Sequence, residues 1–199
     1  MTTRISPAQP PFPAEIQERF DRLTPKGMAP LVLFTTLARD KRLFQKFMAG
    51  GLLDPAHLTL RQREIVIDRV TALCGSEYEW GVHIAFFAKR AGLDEDQVAS
   101  TVKGGKDDPV WSDEDRALLA ACDQLHRNCD IDDETWQNLR QRFSEEALLE
   151  ILMLAGYYRT VSYITNAVRL PLESHAARLN LEGSALCVRD AGHYEVNAD

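Results

Sequence analysis

The sequence is short of cysteine, of unbroken apolar runs and of clustered positive charge, and each shortage removes a class of function. Its four cysteines, Cys74, Cys122, Cys129 and Cys187, are irregularly spaced and include no Cys-x-x-Cys pair. So few thiols cannot staple a disulfide framework or supply a paired-thiol redox or zinc motif. Reduced thiols are the expectation. No stretch approaches the ~20 apolar residues that a membrane helix needs. Residues 1–13 lack the apolar core of a signal peptide, so a cytoplasmic protein is expected. Lys and Arg number 23 against 30 Asp and Glu, a formal charge of −7. Nucleic acid and anionic membrane both select clustered cations, so neither is an expected partner. Alternation of period two, the mark of a half-buried strand, is also missing.

What is present is an ordinary globular composition, 45% hydrophobic and 27% charged over 199 residues, carried by helical periodicity. The pattern predicts an all-α domain of about eight helices spanning 14–172. A Pro-rich N-terminal arm, flexible or partner-bound, precedes it at 1–13 with Pro7, Pro10, Pro11 and Pro13, and a polar tail follows at 173–199. Ile16, Phe20 and Leu23 mark one short helix, and Pro30 introduces another over Leu31 to Ala38. Leu43, Phe44, Phe47 and Met48 belong to a third, stopped at Gly50-Gly51. Thr59 with Gln62 is a capping-box pair, which puts Glu64 in a first turn, and Gly75 closes that helix. Ser76 with Glu79 repeats the pattern for a helix running to Ala91. Asp94 and Ser112 start further helices. Trp136, Leu139 and Phe143 mark one more, and Glu145 to Leu170 is apolar on most sides, as expected of a buried helix.

The chemistry concentrates in the helix after Ser76. Glu79 and His83 lie four residues apart, on one helical face, so the carboxylate can orient the imidazole and raise its basicity. Trp80, Phe87 and Tyr78 supply aromatic surface for a mostly apolar pocket, and Glu64 on the preceding helix is a second titratable group. Plainer roles fit the same residues. Ser76 and Glu79 serve equally as reciprocal helix caps, His83 as a core histidine, and Tyr78 and Trp80 as core or subunit-contact aromatics. Cys122, His126 and Cys129 share a helical face, but no fourth ligand is evident and no metal site is expected.

The runs Arg63-Glu64-Ile65-Val66-Ile67, Glu77-Tyr78-Glu79-Trp80-Gly81-Val82-His83 and Ala91-Gly92-Leu93 resemble the signature of the carboxymuconolactone decarboxylase and alkylhydroperoxidase D superfamily. The resemblance is specific over about 60–95 and looser over 28–172. It implies an alkylhydroperoxidase D-like helical fold and a homo-oligomer, commonly a trimer or hexamer. In the alkylhydroperoxidase D branch the working set is a Glu, a Cys-x-x-Cys pair and a His four positions after the second Cys. Glu64 and His83 match that spacing, whereas Ser76 and Glu79 stand where the cysteines belong. Neither can perform thiol peroxidase chemistry. The resemblance therefore implies a decarboxylase-like enzyme without cofactor, acting on a small carboxylated or lactone-type substrate. His83 would be its acid and base, Glu79 and Glu64 would orient the ring, and Ser76 would donate a hydroxyl. Two alternatives stay open: a peroxidase-type antioxidant using Cys74 as a displaced thiol at a helix N-terminus, and a non-catalytic small-molecule binding module.

Overall fold

The computed structural model describes residues 3–179, and over these the chain is all-helical, with nine helices and no strand. They are α1 (Ala14–Leu23), α2 (Val32–Leu37), α3 (Lys41–Ala49), α4 (Leu60–Leu73), α5 (Glu77–Phe87), α6 (Glu95–Lys103), α7 (Asp113–Asn128), α8 (Asp133–Arg140) and α9 (Glu145–Val168). No helix among the described residues is long and apolar enough to cross a membrane.

Helix α4 is the axis of the domain. Every residue from Arg63 to Thr71 is buried, because α5, α6, α7 and α9 all pack against it. A helix enclosed on all sides must satisfy its polar groups within the protein. Its ends follow the sequence signals. Thr59 and Gln62 form the reciprocal capping box, and Gly75 turns the chain at φ +61°. That left-handed turn lets Ser76 N donate to Thr71 O at 2.9 Å, which satisfies an end carbonyl of α4 and aims α5 back along it. The His83 helix lies against both the Glu64 helix and α9.

Two apolar clusters divide the interior. The larger is built from α4, α5, α7 and α9, and includes Ile65, Trp80, Leu118, Leu154 and Tyr158. The smaller gathers Ile16, Phe20, Ala38 and Phe44 from α1 to α3, with Phe20 edge-on to both Phe12 and Phe44. Residues 3–12 run back over the body, where Arg4 N donates to Val168 O and Ala8 N to Thr35 O.

Residues 173–177, beyond α9, are also tied down. Ala177 N donates to Gly81 O at 3.0 Å, and a Cβ at Gly81 would lie 2.3 Å from Ala177 O, so only glycine permits this approach. Glu173 Oε1 accepts from Val32 N at 2.6 Å and from the Tyr78 hydroxyl at 2.5 Å. Leu31 gives α2 no side-chain cap, so a distant carboxylate does that work. Residues 180–199, most of the expected polar tail, lie outside the described residues.

Candidate active site

His83 projects from the middle of α5 between two carboxylates. Its Nδ1 is 2.8 Å from Glu64 Oε2 on α4, and its Nε2 is 3.5 Å from Glu79 Oε1 one turn earlier on α5. Glu64 also pairs with Arg63, Nε to Oε1, at 3.5 Å. All four side chains are buried. Burial opposes a charged imidazole, but Glu64, through its charge and hydrogen bond, and then Glu79 outweigh it and push the His83 pKa up to about 10. The ring therefore carries its proton at neutral pH.

The ring borders a cavity of about 390 Å³ lined by residues of α1 to α5 and α9. Leu33, Phe34, Phe47, Val82, Phe87 and Tyr157 supply apolar walls, while Arg63, Glu79 and His83 supply polar ones. Phe87 lies 5.2 Å from the His83 ring and Tyr158 meets it edge-on at 5.0 Å. Burial, with the charges of Glu79 and Glu64, holds the Tyr158 hydroxyl well above its ordinary pKa, so it keeps its proton as a donor.

Of the residues singled out from the sequence, Glu64, Glu79, His83 and Phe87 converge here, and four others go elsewhere. Ser76 heads α5 without a side-chain cap bond, because its hydroxyl pairs with Thr165 Oγ1 on α9 at 2.8 Å. It does not line the cavity, and the expected capping box with Glu79 does not form. Trp80 turns away from the cavity, fully buried, with its indole N–H donating to Thr101 Oγ1 at 3.0 Å. Tyr78 commits its hydroxyl to Glu173 and to Leu33 N. Glu64 itself sits in the second turn of α4, with no acidic residue in the first. Its partner is His83, not the helix dipole.

Cys74 occupies a separate corner. It is the C-cap of α4, at the negative end of that helix and not at a positive one, which disfavours a thiolate. Its Sγ is 3.9 Å from His126 Nδ1. Burial raises the thiol pKa, with only partial opposition from Arg159 and Ser162. Burial, and then the Arg159 charge, lower that of His126. Cys122 points into the core towards Val66 O, and Cys129 is exposed. Among the described residues no three His, Cys, Asp or Glu side chains are grouped as metal ligands.

Sequence reasoning missed Arg63, Asp68, Tyr157 and Tyr158. Asp68 lies one turn beyond Glu64 on α4, fully buried, and neither carboxylate oxygen has a hydrogen-bond partner among the described residues. Burial, and then the Glu64 charge, raise its pKa well above the ordinary carboxylate range, against the His83 charge. The available signal was a second acid in i+4 register within an otherwise apolar stretch. Tyr157 and Tyr158 were hidden in the apolar breadth of α9.

Residues 41–123 match the carboxymuconolactone decarboxylase family. Solved structures of similar fold include a peroxidase-related protein of Silicibacter sp. TM1040, with a TM-score of 0.75 and 18% identity, covering 87% of this chain and 96% of that one. Another is an alkylhydroperoxidase AhpD core from Ralstonia eutropha JMP134, with a TM-score of 0.69, 17% identity and coverage of 87% and 95%. A third is the debrominase Bmp8 in complex with 2,3,4-tribromopyrrole, with a TM-score of 0.68, 17% identity and coverage of 87% and 94%. No curated protein sequence matches this chain significantly.

Proposed function

We propose that this chain, whose residues 41–123 match the carboxymuconolactone decarboxylase family and whose fold is alkylhydroperoxidase D-like, is a cofactor-independent acid–base enzyme of that superfamily. Its reaction is decarboxylation, or the related isomerisation, of a small carboxylated or lactone-type substrate. The observation that carries this reading is the buried Glu64–His83–Glu79 array on the wall of a largely apolar cavity.

In the decarboxylation, the bond to the carboxylate carbon breaks, carbon dioxide leaves, and the electron pair passes into an enolate conjugated with the lactone carbonyl. The His83 imidazolium protonates the carbon through Nε2. Glu64 keeps its hydrogen bond to Nδ1 and so fixes the ring's orientation. Solvent then returns a proton to Nε2, where the Glu79 carboxylate, with one oxygen toward His83 and the other unpartnered, favours the recharged ring. In the isomerisation Glu79 would instead remove the proton that His83 restores elsewhere. The peroxidase alternative gains nothing from this geometry, because Cys74 lies beside His126 and away from the cavity.

The test is a turnover screen of unsaturated lactone carboxylates beside alkyl hydroperoxides, following carbon dioxide release and peroxide loss. Lactone turnover is expected, with kcat falling about 100-fold or more in His83→Gln while the helical spectrum is unchanged. Full activity in His83→Gln would overturn the assignment. The same reading takes the exposed apolar row of α9, Leu149, Met153 and Tyr163, as a contact surface of the implied trimer or hexamer. Sedimentation of the chain as a monomer would remove that part.

A further inference from the structure

The cavity's charge runs against that of the chain. The whole sequence is acidic, at −7, yet the cavity is lined by Arg19, Arg63, Arg90 and His83 against Asp54 and Glu79. With His83 held as the imidazolium, cations prevail there even when Glu64 behind the ring is counted. A cationic recess with apolar walls concentrates anions.

Three polar atoms of its lining residues are unmatched, Arg19 Nε, Arg63 Nε and Glu79 Oε2, and the last two belong to buried side chains. Arg63 and Glu79 are only 8% and 6% exposed, and Arg63 Nε and Glu79 Oε2 have no hydrogen-bond partner among the described residues. The guanidinium cannot simply swing away to find one. Its Nη1 donates to Leu53 O at 2.6 Å, and Nε stays 3.5 Å from Glu64 Oε1 as an ion pair. A buried donor on a cation and a buried acceptor on a carboxylate each carry a desolvation cost until something meets them. What meets the first must accept, and what meets the second must donate. Between them the walls are flat and apolar, from Phe34, Phe87 and Tyr157.

We propose that this cavity binds a flat organic monoanion that also carries a hydroxyl or N–H group, with its carboxylate on Arg63 Nε and its donor on Glu79 Oε2. This makes Arg63 and Glu79 the specificity-determining pair. A ligand without the anionic group leaves the guanidinium unmet, and one without the donor strands the Glu79 oxygen. Sites built to meet a polar group discriminate strongly against analogues that lack it. The assignment rests on the acid–base reading of the same cavity, but binding alone tests it.

Calorimetric titration of the full chain near neutral pH with benzoate, phenol and the ortho, meta and para hydroxybenzoates provides that test. At least one hydroxybenzoate is expected to bind about tenfold tighter than both benzoate and phenol, the scale of one hydrogen bond to a charged group. Arg63→Lys should weaken benzoate and the hydroxybenzoates together while sparing phenol. Glu79→Leu should erase the advantage of the hydroxyl, so that no hydroxybenzoate binds tighter than benzoate. Should a variant fail to fold, the ligand series on the unaltered protein still decides the matter. Equal binding of benzoate, phenol and every hydroxybenzoate would overturn the proposal. Selective binding without lactone turnover would sustain it and remove the acid–base reading. Turnover without the selectivity would do the reverse.

Discussion

Among the described residues, His83 and His126 each sit beside groups able to share a proton with them, and their surroundings drive them in opposite directions. At His83 the imidazole is buried, yet two carboxylates hold it charged up to about 10. At His126 the neighbours are a thiol and the Arg159 guanidinium, and burial followed by that positive charge lowers the pKa of the ring. Burial penalises charge in both places, and the sign of the nearest ionised group determines whether that penalty is overcome. An enclosed imidazolium serves as a proton donor. A histidine that stays neutral beside a thiol whose pKa is raised provides no thiolate.

Removing the carboxylate behind His83 should collapse the contrast, with the largest effect. Glu64→Gln leaves the Arg63 and His83 charges without their buried partner, and a destabilisation on the order of 3 kcal/mol is expected in chemical denaturation. The pH dependence has a definite sign. Because the folded imidazole titrates above its ordinary value of 6.5, its contribution is whole below about pH 6.5 and is lost as pH rises through about 10. The variant should lose that slope, and the His83 proton resonances should titrate lower. An unchanged His83 titration in Glu64→Gln would show that the ion pair does not set its charge.

A smaller effect is expected one turn along α4. The folded Asp68 keeps a proton that the unfolded chain sheds above about 3.8, so the native state loses relative stability as pH rises from there toward the raised value. Asp68→Asn removes that slope and keeps the shape, so at neutral pH the variant should be as stable as the parent or about 1 kcal/mol more so. Strong destabilisation would mean that Asp68 is ionised and paired. The smallest change belongs to the other corner. Cys74→Ala should alter stability by about 1 kcal/mol or less and leave lactone turnover intact, whereas loss of turnover would join the two regions that the structure separates.

The scaffold was readable because its signals are local. Thr59 with Gln62 closes the reciprocal box that its spacing predicts, Asp94 caps the helix it was expected to start, and Gly75 adopts the left-handed turn expected at the end of α4, whereas α5 stops at Phe87, short of the expected Ala91. The same pattern at Ser76 and Glu79 misled, since a hydroxyl on α9 claims Ser76 and the imidazole claims Glu79. Tertiary partners displace a cap of comparable strength. The pairing of His83 with Glu79 follows from helical spacing alone. Its pairing with Glu64 crosses from α5 to α4, so only the resemblance pointed to it. Trp80 shows the limit of reading a face from aromatic content, because it lies on the side of α5 that meets Thr101 and not on the side that meets the cavity.

Glu173 carries a consequence beyond its own contacts. It fastens the first turn of α2 and the Tyr78 hydroxyl from a point past α9, and α2 bears Leu33 and Phe34 of the cavity wall. The rim of the recess is therefore latched from the far end of the chain. A nick between Leu172 and Glu173 would leave Glu64, Glu79 and His83 chemically untouched, yet it would unbolt one side of the chamber in which they stand.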